Sequence, residues 1–183
     1  MSRIAGALAR IESALAAVGA AFLFIIMIIV VLDVFMRYVV GRPFSFTYDL
    51  VGVYLMTGVF FLVLSHAQAA RANVAVDILL EKFSEPMRRV ADIFACLAGG
   101  SVFALIVIVG FDRAWDNYQS NDVLAGAIPW PVWMSAALVP LGAGVLVLRL
   151  LLTACGHIAS LLTGRDLIPL PPHSGDMNGE RFE

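Results

Sequence analysis

Four stretches of the chain, at about residues 12–36, 46–66, 90–111 and 131–155, each offer the roughly 20 mostly apolar residues that a helix needs to cross the hydrocarbon of a bilayer. No other feature constrains the fold as tightly. The residues outside these runs are divided into segments of 28 or fewer, so none offers room for a separate soluble domain. Composition agrees: 61% of residues are hydrophobic and 14% charged, against about 45–50% and about 25% in soluble domains. The expected fold class is an all-α integral membrane protein with four transmembrane helices. A formal net charge of -2 gives no electrostatic reason to expect nucleic acid as a partner.

Arg3 and Arg10 precede the first run, as in a secretion signal. Its apolar stretch is too long for one, however, and it leads into Leu-Asp-Val-Phe-Met-Arg (32–37) rather than small residues suited to cleavage. It reads as a retained helix. Gly41-Arg42-Pro43 breaks that helix into a tight turn, and a second helix follows from about 46 to 66. Between 70 and 89, Val76, Leu79, Leu80, Phe83, Met87 and Val90 recur at helical spacing, with Asp77, Glu81, Glu85 and Arg88 opposite. Pro86 interrupts the pattern, because proline lacks the backbone donor a helix interior needs. The segment therefore predicts a short interfacial amphipathic helix over about 74–83. A third helix follows from about 86 to 111, with Ser84 or Glu85 as its cap and Pro86 in its first turn. The fourth helix runs from about 131 to 155, with a kink expected at Pro140. Residues 1–165 thus form one transmembrane domain. The tail 166–183, rich in proline and polar residues, is expected to be disordered and cytoplasmic.

Basic residues set the orientation. With the N-terminus in the cytoplasm, Arg3, Arg10, Arg71, Lys82, Arg88, Arg89, Arg149, Arg165 and Arg181 fall inside. Only Arg37, Arg42 and Arg113 then fall outside. The same orientation puts Trp115, Trp130 and Trp133 at the outer face, where an interfacial aromatic belt belongs. Both termini are then cytoplasmic.

The charges around the first turn are the candidate polar site. Asp33 and Arg37 lie four apart on helix 1 and share a face. Asp49 opens helix 2, where an acid interacts well with the helix dipole. They suit either snorkelling groups that mark helix ends or a latch that holds the hairpin or meets a partner. The chain has no P-loop, HExxH, GxSxG or CxxC pattern, so it is not read as an enzyme. Cys96 and Cys155 read as small apolar packing residues. No carboxylate lies near the middle of any helix, against the habit of self-contained ion-coupled carriers. His66 and His157, at the inner ends of helices 2 and 4, admit one alternative: a haem-binding anchor subunit of a redox complex. The favoured reading needs no cofactor and no metal. Such a chain serves a partner rather than acting alone.

Several short motifs point to a family. Phe35-Met36-Arg37-Tyr38 followed by Pro43, then Asp49, then Arg71, Val74, Val76 and Asp77, then Pro129, Trp133, Pro140, Gly142 and Arg149 stand in this order. In order and spacing the chain resembles the small membrane subunit, the DctQ type, of tripartite ATP-independent periplasmic (TRAP) transporters. It departs at Phe46, Tyr48 and Asn73, where tryptophan, an acid and histidine are usual. The resemblance implies a non-catalytic scaffold in the bacterial inner membrane, part of a sodium-driven importer of organic acids. Its implied partners are the large membrane subunit, the periplasmic substrate-binding protein and membrane lipids. Asp33, Arg37, Asp49, Arg71 and Asp77 are its candidate structural or interface residues.

Overall fold

The computed structural model describes residues 2–70, 85–126 and 128–163. The expected interfacial helix over 74–83, with Arg71 and Asp77, and the tail 166–183 lie outside the described residues. Four helices account for nearly all that is described: α1 Ser2–Val39, α2 Thr47–Ala69, α3 Glu85–Gln119 and α4 Val132–Thr163. Each contains a span long and apolar enough to cross a membrane. There is no strand among the described residues, only an isolated antiparallel bridge between Val123 and Pro131.

The helices outrun the apolar stretches that announce them. α1 has 38 residues, about 57 Å at 1.5 Å per residue, against about 40–45 Å for a whole bilayer with its headgroups. α3 continues through Phe111 to Gln119, over a segment expected to be loop. Residues 112–119 are polar but contain neither proline nor glycine, so nothing in them stops a helix already running. What stops it is Asn121, which takes a positive φ of 51°. The Asp122 N–H then donates back to the Asn117 carbonyl at 3.2 Å, a Schellman closure with asparagine in the left-handed position. α1 ends in a similar way at Gly41, with φ 73°, and Pro43 prevents resumption. α4 runs on through Pro140. α2 is not uniform: Leu50–Leu55 form a π-helical stretch.

The helices do not close into a bundle. α1 packs chiefly on α2, α2 on α4, and α4 on α3, giving an open row in the order α1, α2, α4, α3. The flanking helices each contribute a single seam. On α1 the more buried positions are Leu8, Glu12, Leu15, Gly19, Phe22, Ile26, Ile29, Asp33 and Met36, alternating four and three apart. On α3 the same rhythm runs through Arg89, Ile93, Cys96, Gly100, Phe103, Val107, Gly110, Ala114 and Asn117. A 3.5-residue repeat is the mark of knobs-into-holes packing along a narrow stripe. The rest of α1 and α3, including Leu23, Phe24, Phe35, Phe94 and Leu105, faces outward. In water such surfaces would aggregate; in a bilayer the acyl chains cover them.

Close approach in the middle of the row depends on one glycine. A Cβ on Gly142 would strike the backbone of Phe61 in α2, whereas one on Gly144, two residues on, would meet nothing. Gly142→Ala is expected to force α4 away from α2 and cost about 1–3 kcal/mol, as overpacking does. Gly144→Ala should be neutral. Thermal unfolding of the two variants in detergent separates them; equal unfolding temperatures would show that the contact is not tight.

Candidate functional site

The charged side chains of the row gather into two ties, one near each end of α1. At the end bearing the first turn, Asp33 is buried and accepts three hydrogen bonds. They come from Arg37 Nη2 at 3.1 Å, the Phe44 backbone N–H at 2.8 Å and Thr47 Oγ1 at 3.2 Å. One carboxylate thus fixes the last turn of α1, the connecting turn and the start of α2. Phe46, at the N-cap of α2, makes no side-chain cap, so Asp33 supplies from the neighbouring helix the acceptor for Phe44 and Thr47. Arg37 is 61% exposed along its side chain, and its pair with Asp33 is the weaker part of the arrangement.

Asp49 does not join Asp33 and Arg37. Its carboxylate lies against Gly126, in the connection between α3 and α4, where a side chain on residue 126 would collide with it. A second link runs the same way: the Tyr54 hydroxyl donates to the Pro131 carbonyl, and its ring sits 5.9 Å from that of Trp130. Tyr54 belongs to the π-helical stretch of α2, and such insertions re-aim the side chains they carry. Trp115, Tyr118 and Trp133 form a separate aromatic cluster between α3 and α4, with ring centroids 6.1 Å and 5.6 Å apart. The three sequence-marked tryptophans therefore fall at one end of the row but in two groups.

The opposite tie centres on Glu12, which sequence reasoning passed over. Glu12 of α1 is only 2% exposed. It accepts a hydrogen bond from Ser65 Oγ of α2 at 2.7 Å and lies 3.5 Å from Arg149 Nη1 of α4. Three helices meet on one carboxylate. A signal existed. Arg149 is the sole charged residue of α4, and Glu12 the sole acid of α1 before Asp33. Opposite lone charges at matching depth in two apolar helices are candidates for a pair. Glu12 and Asp33 are separated by about 31 Å along α1 at 1.5 Å per residue, close to the roughly 30 Å hydrocarbon thickness. The two carboxylates thus mark the two boundaries of the apolar layer, and no charged residue lies between them on α1.

Beyond Glu12, Arg88 and Arg89 of α3 and His157 and Ser160 of α4 are buried as well. His66 is exposed, so the two histidines weighed as a facing pair lie in different environments. No group of three or more His, Cys, Asp or Glu able to hold a metal occurs among the described residues.

Chemically, these arrangements hold helices in register. A buried ion pair is not a large net stabiliser, but removing one partner leaves a buried charge and costs about 3–5 kcal/mol. Arg149→Met is expected to lower stability by about 3 kcal/mol, and the double change Glu12→Leu with Arg149→Met to recover most of it. At the other tie, Asp33→Ala, which strands three donors, should cost more than Arg37→Ala, whose partner keeps two donors. Chemical unfolding in mixed micelles measures both. A harmless Arg149→Met, or equal losses at Asp33 and Arg37, would contradict these assignments.

The sequence model described as "Tripartite ATP-independent periplasmic transporters, DctQ component" matches residues 26–160. That range takes in the Asp33 tie, α2, α3 and Arg149, and begins after Glu12. No curated protein and no solved structure matches the chain.

Proposed function

Because the chain belongs to the DctQ family, the small membrane component of tripartite ATP-independent periplasmic transporters, we propose that it is a non-catalytic scaffold subunit of a sodium-driven importer of organic acids. It braces the large membrane subunit that carries solute and ions. It also contributes to the face on which the periplasmic substrate-binding protein docks. The observation that carries this reading is where the charges are used. Glu12, Arg149, Asp33 and Arg37 are spent on one another and on the backbone at the two boundaries of the apolar layer. Between those boundaries α1, α2 and α4 carry no charged side chain, whereas carriers bury ionisable groups or broken helices at mid-depth.

The excess of Lys and Arg on the side of Glu12 supports cytoplasmic termini in a bacterial inner membrane. The first turn and the connection between α3 and α4 then face the periplasm. Asp33 works from inside the subunit, while Asp49 and the exposed Arg37 stand nearer the surface a partner meets. Arg71 and Asp77 belong to the segment proposed to lie on the inner leaflet and steady the assembly. Membrane lipids cover what the partner leaves open. The role requires no cofactor and no nucleic acid.

Affinity purification of a tagged large subunit in mild detergent tests the proposal. The chain should come away with it. Asp49→Ala and Arg37→Ala should reduce the yield while leaving each variant folded. Uptake of a labelled organic acid by vesicles under a sodium gradient should need both membrane subunits. Sodium-driven uptake by this chain alone in liposomes would overturn the scaffold role.

A further inference from the structure

The α3–α4 pair leaves a groove whose lining has a clear polarity. It encloses about 360 Å³ and is lined by Leu105, Ile106, Val109, Gly110 and Arg113 of α3 with Ala136 and Val139 of α4. Every lining side chain but one is apolar, and the exception, Arg113, stands at one end. Gly110 forms the floor, where a Cβ would come within 3.3 Å of Pro140 and 3.4 Å of Val139. The absence of a side chain there keeps the two helices close and leaves the channel above them open.

Depth along α3 says what such a groove faces. Gly110 packs against Pro140 and Gly100 against Leu150, so Arg113 stands about 20 Å along α3 from the level of the Glu12–Arg149 tie, toward the tryptophan end, where a long arginine side chain snorkels to the interface. Leu105 lies about 12 Å below Arg113, well inside the acyl region. Trp115, Tyr118 and Trp133 pack together within about one turn of Arg113 and mark the same level as interfacial. Arg113 is exposed and makes no ion pair among the described residues, although Asp112 and Asp116 lie one and three positions away. Its guanidinium donors are therefore open to a phosphate, which they match in geometry as well as charge.

We propose that this groove is a binding site for one glycerophospholipid of the leaflet at the tryptophan end, its phosphate on Arg113 and one acyl chain along Leu105, Val109 and Ala136. The site depends only on the four membrane spans and stands whether or not the importer reading holds. It differs from general solvation by lipid in joining a fixed cation beside the aromatic cluster to a fixed apolar channel directly beneath it. A lipid held there fills the cleft beside the α3–α4 seam.

Native mass spectrometry of the full-length chain, delipidated in detergent and titrated with phosphatidylglycerol, tests this. The wild type is expected to retain one lipid per chain at concentrations where Arg113→Gln retains roughly tenfold less, the loss of a charge-assisted contact. Ala136→Phe, which fills the channel and leaves Arg113 in place, should lose the lipid to a similar degree at an unchanged unfolding temperature. Diacylglycerol, with the same chains and no phosphate, should bind the wild type no better than phosphatidylglycerol binds Arg113→Gln. Inorganic phosphate should not displace the lipid. Wild-type retention by either variant, or displacement by inorganic phosphate, would overturn the site.

Discussion

An ionised carboxylate cannot be left alone in hydrocarbon, and the arrangement of this protein follows from how it disposes of two of them. Glu12 and Asp33 are both buried and both on α1. Each sits where the apolar layer gives way to the headgroups, and each is surrounded by donors from elsewhere. Ser65 and Arg149 reach Glu12 from α2 and α4, while Arg37, Phe44 and Thr47 converge on Asp33. Because a hydrogen bond tolerates only a few tenths of an ångström in donor–acceptor distance, each tie admits one axial position of α1. Together they set how far α1 slides against its neighbours, which an apolar seam by itself does loosely. Sliding α1 by one turn would break both ties at once.

The same economy explains why the helices need not close into a bundle. In water an open row would expose most of its apolar surface, and burial would drive closure. In lipid the acyl chains are as apolar as leucine, so that drive disappears and packing detail decides. α1 and α3 therefore each use one 3.5-residue seam and give their remaining surface to the membrane. Polar ties join α1, α2 and α4, and the links from Asp49 to Gly126 and from Tyr54 to Pro131 extend the set to the connection that follows α3. A flat unit of this kind presents broad faces to a larger neighbour, which suits a subunit that supports another.

Individual residues show where sequence reasoning reached and where it stopped. The first turn was legible because Gly41 and Pro43 act through their own backbone, and local conformational rules apply whatever surrounds them. Asp33 and Arg37 were legible as a pair because helical spacing alone brings them together. Asp49 was misplaced: nearness in sequence to the other two suggested a shared cluster, yet its carboxylate lies against Gly126. The end of α3 lies past the apolar run that marks it, because a polar stretch without proline or glycine carries a helix on until a residue such as Asn121 turns it. Glu12 was passed over because an acid at the edge of an apolar run looks like a boundary marker until its partner is known.

The sequence by itself determined that four segments are long and apolar enough to cross the layer, where α2, α3 and α4 begin to within a turn, and which end carries the tryptophans. Length and transfer free energy decide those properties one segment at a time. Only the tertiary structure decided the order of the row, the face each helix turns inward and the partners of Glu12 and Asp49. Inward and outward faces of a lipid-embedded helix are equally apolar, so hydropathy carries no contrast between them. Contacts made across most of the chain length, such as Glu12 with Arg149, leave no local trace that periodicity can read.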